Sequence, residues 1–373
     1  MISKVIISGG GTGGHIFPAI AIANEIRKRN PKAQILFIGA LGKMEMEKVP
    51  LAGYDIEGLN IVGFKRSFSF SNFLLPFKIL GSLLKARKLI STFQPELVIG
   101  VGGYASGPTL KMAAWLKIPT VIQEQNSFPG KTNLLLSKKA TLICTAYSGM
   151  EVFFPKEKIK LTGNPVRADM LDLADKREEA IKFYGLDRRR KTIVIVGGSL
   201  GARTLNNAVR FALPKIQEND EIQLLWQCGN LYFKELNEEL ELPSHIKMLR
   251  FIERMDLAYA AADVVVSRAG ATSISELCIV GKPIILVPSP NVTDDHQTKN
   301  ALSLVNNQAA ILVKDELAKE QLFEVAIDLL LNNELRTRLA DNIKKLALPN
   351  AAVDIVEACQ NCLSNLLNNR HAN

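Results

Sequence analysis

The residues best suited to chemistry lie near the start of the chain. The β-branched run Val5-Ile6-Ile7 leads into Ser8-Gly9-Gly10-Gly11-Thr12-Gly13-Gly14-His15, with five glycines in six positions. Bare backbone of this kind lets a ligand approach closely at a helix start. Gly9, Gly11 and Gly14 also fit the dinucleotide spacing G-x-G-x-x-G. A dinucleotide site further requires an acid at the end of the second strand, to hold the ribose. That stretch reads Phe37-Ile38-Gly39-Ala40-Leu41-Gly42 and contains none. A P-loop is excluded because no Lys-Ser/Thr follows the glycines. What remains is a loop that admits an anionic group or a sugar. His15 adjoins it, and a histidine titrating near its reference value of about 6.5 can accept a proton around neutral pH.

Five more stretches place polar groups where strands end. Gly100-Val101-Gly102-Gly103-Tyr104-Ala105-Ser106 follows one strand, and Gln123-Glu124-Gln125-Asn126 the next. Their hydrogen-bonding side chains suit sugar or peptide recognition. Gly197-Gly198-Ser199-Leu200-Gly201-Ala202-Arg203 can hold phosphate through backbone N–H groups and Ser199, or be no more than a tight turn. In Ser267-Arg268-Ala269-Gly270-Ala271-Thr272-Ser273-Ile274-Ser275-Glu276 a helix starts at Ala271. Glu276 either caps that helix or accepts hydrogen bonds from vicinal hydroxyls. Asn291 to Asn300 carries Asp294, Asp295, His296 and Gln297, a set suited to a polyol. Adjacent positions on one loop make a poor metal cage, so no metal is expected there.

Positioning these loops on one edge requires parallel sheets. Strand patterns fall near Val5–Ser8, Ile35–Ile38, Leu97–Val101, Thr120–Gln123 and Leu142–Thr145, with helical patterns near Ala19–Arg29, Phe73–Ser91, Thr109–Trp115 and Thr132–Ser137. Such alternation means βαβ units. The pattern restarts at Thr192–Val196 and continues through Gln223–Gln227, Lys247–Phe251, Val264–Ser267, Ile284–Val287 and Ala310–Val313. Two Rossmann-like domains facing across a cleft are therefore expected, with ligands at the carboxyl ends of the strands. The expected domains are residues 1–163 and 164–345. A C-terminal helix in 346–373 is expected to pack back on the first.

The chain has 373 residues, is 47% hydrophobic and carries a formal charge of +9. That size gives two domains as the default, and the charge favours an anionic partner. Five cysteines form no even framework and point to a reducing compartment. Cys359-x-x-Cys362 lacks partners for a zinc site and reads as two apolar residues on a helix. The N-terminus does not read as a signal peptide, and no run is long and apolar enough for a membrane span. Between Glu57 and Glu96 there is no acid. That segment holds Lys65, Arg66, Lys78, Lys85, Arg87 and Lys88 among Phe68, Phe70, Phe73 and Phe77. It suits an anionic bilayer surface. Single-stranded nucleic acid is the rival, since bases stack on aromatic rings.

The ordered set Gly10-Gly11-Thr12-Gly13-Gly14-His15, Gly102-Gly103-Tyr104, Glu124-Gln125-Asn126, Gly163-Asn164-Pro165-Val166-Arg167, Gly197-Gly198-Ser199 and Gly201-Ala202-Arg203 resembles the MurG family of peptidoglycan UDP-N-acetylglucosamine transferases. These are glycosyltransferases of the GT-B fold, and the resemblance covers nearly the whole chain. It implies transfer of GlcNAc from UDP-GlcNAc to the C4 hydroxyl of MurNAc in undecaprenyl-pyrophosphoryl-MurNAc-pentapeptide (lipid I), giving lipid II. The setting it implies is peripheral, at the cytoplasmic face of the inner membrane, with other cell-wall synthesis proteins as further partners. On the donor side it places Thr12, Gly13, Gly14, Asn126, Arg167, Ser199, Phe251, Ile252, Ala271, Thr272, Ser273, Glu276, His296 and Gln297. Phe251 and Ile252 would line the uracil pocket. Arg167, Ser199 and the helix at Ala271 would hold the diphosphate, Glu276 the ribose and Gln297 the sugar. On the acceptor side it places Gly11, Gly14, Gly103, Tyr104, Ser106, Glu124 and Asn126.

An α-linked donor and a β-linked product imply one inverting displacement. His15 is the candidate base, and no metal or other cofactor is expected, because helix N-termini and Arg167 can stabilise the departing diphosphate. Lys65, Arg66, Phe68, Phe70, Phe73 and Lys78 are the expected membrane contacts; nucleic acid is not an expected partner. The sequence departs from the family at Leu200, where Gln is common, and at His296-Gln297, where a Gln pair is often seen. The competing readings are another nucleotide-sugar enzyme of the GT-B fold, an NAD-dependent oxidoreductase, and a non-catalytic lipid- or nucleic-acid-binding protein.

Overall fold

The computed structural model describes residues 1–61, 75–167, 170–171, 173, 175–198 and 200–371. Lys65, Arg66, Phe68, Phe70, Phe73 and Ser199 lie outside the described residues. The chain divides into two compact units, Met1–Val166 with Pro349–Asn373, and Arg167–Leu348.

The first unit runs β1 Lys4–Ser8, α1 Gly13–Arg29, β2 Gln34–Ala40, α2 Glu45–Leu51, β3 Asp55–Leu59, α3 Leu75–Phe93, β4 Leu97–Gly100, α4 Ser106–Trp115, β5 Thr120–Glu124, α5 Lys131–Ser137, β6 Leu142–Thr145 and β7 Ile159–Leu161. All strands pair in parallel, in the order β3-β2-β1-β4-β5-β6-β7. A parallel sheet covered by helices on both faces is apolar on both, and β1 shows it. Val5 and Ile7 enter one apolar cluster, with Ile16, Ile22 and Ile26 of α1. Ile6 enters the other, with Ile90 of α3 and Leu110 of α4. Each fully buried aliphatic side chain stabilises the fold by about 1.5–3 kcal/mol.

The second unit runs α6 Arg177–Tyr184, β8 Lys191–Val196, α7 Arg203–Gln217, β9 Ile222–Gln227, α8 Phe233–Glu239, β10 Ile246–Leu249, α9 Met255–Ala261, β11 Val264–Ser267, α10 Ala271–Val280, β12 Ile284–Leu286, α11 His296–Val305, β13 Ile311–Leu312, α12 Ala318–Leu331 and α13 Asn333–Lys345. Its parallel sheet has the order β10-β9-β8-β11-β12-β13. In both sheets the order reverses beside the strand that opens the unit: between β1 and β4, and between β8 and β11. Loops leaving the carboxyl ends of such neighbours diverge and leave a crevice.

The last helix, α14 Ala351–His371, belongs with the first unit. Ile355, Val356 and Cys359 bury against α1, and Arg29 donates to Gln360 Oε1 at 3.1 Å and to the Val353 carbonyl at 3.1 Å. Cys359 shares this cluster with Cys144 of β6, whose thiol burial pushes up to about 12. Both are packing residues here, and all five cysteines are free.

In the first unit, three elements go beyond the segments read from sequence. Strand β3 (Asp-Ile-Glu-Gly-Leu) mixes acids with apolar residues, and β7 is a three-residue edge strand. Helix α2 spans seven residues and contains Pro50, too short for a periodic signal.

Candidate active site

In the first unit, two glycine turns at the β1–β4 crossover pack backbone against backbone. Gly10, Gly11, Gly102 and Gly103 all have positive φ, at 146°, 87°, 94° and 84°. A Cβ on Gly103 would drive into the Gly10 backbone, and one on Gly102 would reach the His15 ring at 2.8 Å. The glycines are thus required by conformation and by proximity together.

Thr12 is the N-cap of α1. Its carbonyl accepts from His15 N at 3.1 Å and Ile16 N at 3.2 Å, and its hydroxyl lies 3.1 Å from His15 Nδ1. That contact orients the imidazole, whose ring is half-buried beside Gly102. Gly13 and Gly14 form the first turn of α1, which contains no acid of its own.

The neighbouring loops complete the edge. Tyr104 is exposed, whereas Ser106 is buried and its hydroxyl donates to the Gly103 carbonyl at 2.9 Å. Glu124 is buried and acts on its own loop. One oxygen accepts from Asn126 N at 3.0 Å and Asn126 Nδ2 at 3.2 Å; the other accepts from Gly130 N at 3.1 Å and Asn133 Nδ2 at 2.8 Å. In this structure Glu124 positions Asn126. Behind them, Gln123 Nε2 donates to Asn164 Oδ1 at 2.9 Å, and Asn164 Nδ2 donates to the Gln125 carbonyl at 3.0 Å. This buried amide network ties the Gly163-Asn164-Pro165 segment to the first unit.

Glu45, the first residue of α2, was not among the residues read from sequence. It is fully buried and accepts from Gly11 N at 2.8 Å and Ala40 N at 3.0 Å. The signal available was an acid five positions beyond the end of β2. In a dinucleotide fold an acid near this point would reach a ribose. Here it turns inward and accepts from the loop N–H of Gly11.

In the second unit, α10 begins at Ala271 with Gly270 as N-cap. Thr272 Oγ1 is buried with no hydrogen-bond partner among the described residues. A buried hydroxyl left so costs about 1–3 kcal/mol, and an incoming oxygen could pair with it. Ser273 lies in the same turn. Glu276, one turn further, accepts from Arg167 Nε at 3.2 Å. Burial, with the nearby Glu276 carboxylate adding to it, pushes the Tyr259 phenol upward, so Tyr259 stays neutral behind this pair.

Gln297 is committed by its oxygen, which accepts from Ala269 N at 3.2 Å and Ser289 N at 2.9 Å. It thereby joins the β11 and β12 loops. His296 opens α11 directly after Asp294 and Asp295, both in the left-handed region at φ 54° and 53°. Such backbone costs on the order of 1–3 kcal/mol per residue and gathers at functional loops. Phe251 is half-exposed and Ile252 buried, just beyond β10.

Two more residues missed from sequence brace this edge. Arg268 donates to the Val287 carbonyl at 2.9 Å and pairs with Asp315, which also accepts from Thr204 Oγ1 at 2.9 Å. A cavity of about 570 Å³ lined by Asp263, Lys282, Arg336 and Lys344 lies at the opposite, amino edge of this sheet and is not part of the site. Among the described residues no group of three His, Cys, Asp or Glu is arranged to hold a metal.

Comparison with known proteins agrees with this layout. Residues 5–145 match the glycosyltransferase family 28 N-terminal domain, and residues 192–355 the C-terminal domain of the same family. A UDP-N-acetylglucosamine–N-acetylmuramyl-(pentapeptide) pyrophosphoryl-undecaprenol N-acetylglucosamine transferase of Flavobacterium psychrophilum is 54% identical over 355 residues, covering 95% of this chain and 96% of the relative. The Bacteroides fragilis protein of the same description is 54% identical, with 95% and 94% covered. Among solved structures, Acinetobacter baumannii MurG matches with a TM-score of 0.77 at 30% identity, covering 96% of this chain and 99% of that one. With both halves of the family matched in order and over half of all positions shared with relatives of equal length, the chain belongs to glycosyltransferase family 28, as a GT-B protein of the MurG family.

Proposed function

We propose that this chain transfers N-acetylglucosamine from UDP-N-acetylglucosamine to the C4 hydroxyl of the MurNAc sugar in lipid I, producing lipid II for peptidoglycan. The observation that carries this reading is 54% identity over 95% of the chain to a transferase of that description. The placement of the polar loops at the carboxyl edges of two parallel sheets supports it.

In this reading the second unit takes the donor. The α10 N-terminus, the Thr272 and Ser273 hydroxyls and Arg167 receive the diphosphate; Glu276 accepts from the ribose hydroxyls. Phe251 and Ile252 take the uracil. Gln297, its oxygen already used, offers its amide N–H groups to the sugar, with His296 beside it. The first unit takes the acceptor at Gly11, Gly14, Gly103, Tyr104 and Asn126, where Glu124 and Ser106 set the loops. Thr12, Gly13 and Gly14, at the start of α1, are assigned to the reacting end of the donor.

His15 removes the proton from the attacking C4 hydroxyl as that oxygen bonds to the anomeric carbon. The bond from that carbon to the UDP oxygen breaks, and configuration inverts. Charge grows on the departing diphosphate. Preoriented N–H dipoles and a guanidinium stabilise it without reorganising, so the reaction proceeds without a metal. Work at the cytoplasmic membrane surface is supported by α3. Phe77, Leu80 and Leu84 are exposed at helical spacing, with Lys78, Arg87 and Lys88 on the same helix. Among the described residues no helix is long and apolar enough to cross a membrane.

Labelled GlcNAc transfer to a lipid I analogue, run with and without EDTA, tests the proposal. Product of the lipid II type is expected in both arms. No product from UDP-GlcNAc would overturn the activity, and loss in EDTA alone would overturn the metal-free chemistry.

A further inference from the structure

The carboxylate of Glu45 lies beneath the loop that carries His15. Its two oxygens are divided between two strand ends: Oε2 takes Gly11 N at 2.8 Å and Oε1 takes Ala40 N at 3.0 Å. The side chain is 1% exposed, so both bonds form in a water-poor setting. Added side-chain atoms on two nearby residues would overlap it. A Cβ on Gly10 would strike the carboxyl group, and one on Gly39 would strike the Glu45 side chain and reach Ile56 Cδ1 at 3.0 Å. On its other side Gly10 is closed by Gly103. The Gly10–Gly11 backbone is therefore clamped between a carboxylate and a second glycine turn. Thr12, the residue after the clamp, holds His15 through the Nδ1 contact.

We propose that Glu45 is the positioning residue of this glycine loop: by fixing Gly11 N it sets where Thr12 and His15 stand relative to the acceptor hydroxyl. The inference rests on the reading of this edge as the acceptor site. Glu45 touches neither substrate nor reacting atoms, and its effect passes through backbone. An amide in its place can offer only one acceptor oxygen. Glu45→Gln therefore turns an N–H group toward either Gly11 N or Ala40 N, donor against donor, and the loop loses its anchor. A residue serving only overall stability would instead reduce the fraction of folded protein and leave the constants of the remainder unchanged.

The test measures transfer kinetics on the full chain for Glu45→Gln, for Gly10→Ala, whose methyl strikes the same carboxylate, and for His15→Ala as reference. Folding is followed by circular dichroism. Glu45→Gln and Gly10→Ala are each expected to lower kcat at least tenfold and raise the KM for the lipid-linked acceptor. The KM for UDP-GlcNAc should change less than that for the acceptor, because most of the donor groups, Arg167, Thr272, Ser273, Glu276 and Gln297 among them, belong to the second unit. Normal kcat and acceptor KM in both, with His15→Ala impaired, would overturn the positioning role. A lower melting temperature with unchanged constants would overturn it too, in favour of a structural role. If His15→Ala were also unimpaired, the acceptor-site reading itself would fall.

Discussion

Arg167 and Glu276 form an ion pair, with Nε 3.2 Å from Oε1, at the N-terminal turns of α10. The carboxylate is mostly buried and the guanidinium half-exposed. The group assigned to the diphosphate and the group assigned to the ribose thus hold each other's orientation. As a partly exposed pair it adds about 0–1 kcal/mol to folding, and the proposed function gives both groups a role in donor binding. Glu276→Ala should raise the KM for UDP-GlcNAc about 10- to 100-fold, the equivalent of losing charge-assisted hydrogen bonds worth about 1.5–3 kcal/mol. A donor analogue lacking the ribose hydroxyls should bind both proteins alike. Equal sensitivity to that analogue would remove Glu276 from the ribose.

His15, the proposed base, is held by the Thr12 contact to Nδ1 and lies close to Gly102. General base catalysis is worth roughly 10²–10⁴ in rate. His15→Ala should lose that much of kcat at saturating acceptor, while the donor KM changes little. Added imidazole should restore part of the rate. Turnover close to that of the unaltered protein would reassign the proton transfer.

The loops were legible in the sequence because glycine clusters after β-branched runs report a strand end directly, and Gly9 to His15 and Gly197 to Arg203 are of that kind. Helix α10 was legible for the same reason, with Gly270 before it. Glu45 was not. It sits on a seven-residue helix, and nothing in Met-Glu-Met-Glu says which acid turns inward. The resemblance assigns Gln297 to the sugar, but in the fold its oxygen is already used by Ala269 N and Ser289 N. Glu124 and Ser106 likewise spend their polar atoms on their own loops. Side-chain direction depends on tertiary neighbours and leaves no local pattern.

Gly103 and Gly11 separate two reasons for a glycine. Both have positive φ, but a Cβ on Gly11 would meet nothing within 4 Å, whereas one on Gly103 would meet the Gly10 backbone. Gly11→Ala should cost about 1–2 kcal/mol, the penalty of a left-handed residue. Gly103→Ala should cost clearly more, at least about 3 kcal/mol, since backbone must move. Melting temperatures decide this, and similar shifts for the two would show that the turns yield easily.

On α3, Phe77 is 70% exposed and Leu84 58% exposed, an apolar stripe on a basic helix. Arg87 stacks over the exposed Trp115 ring at 4.7 Å and extends the surface. Each apolar residue entering a bilayer interface contributes on the order of 1 kcal/mol. The double variant Phe77→Ser, Leu84→Ser should weaken binding to anionic vesicles on the order of tenfold or more in a sedimentation assay. Transfer to a short-chain soluble acceptor should be unaffected. Vesicle binding equal to that of the parent would place the membrane contact elsewhere.

Asp256 provides a test of stability against pH. It is buried on α9 and accepts from Arg254 Nη2 at 2.8 Å and Lys176 Nζ at 3.1 Å, joining α9 to the segment that enters α6. The Arg254 hydrogen bonds, aided by Lys176, hold its carboxyl well below the usual carboxylate range. In the unfolded chain the group titrates near its reference value of about 3.9. Because the folded value is depressed, the stabilisation is fully present above about pH 4 and is lost as pH falls toward the folded value. Asp256→Asn should therefore destabilise the second unit by on the order of 2 kcal/mol at neutral pH, less than a fully buried pair because both cations reach solvent. The gap between variant and parent should narrow steadily from pH 4 to pH 2. Calorimetric melts across that range measure it, and a constant gap would mean that the carboxylate charge contributes nothing to holding α9.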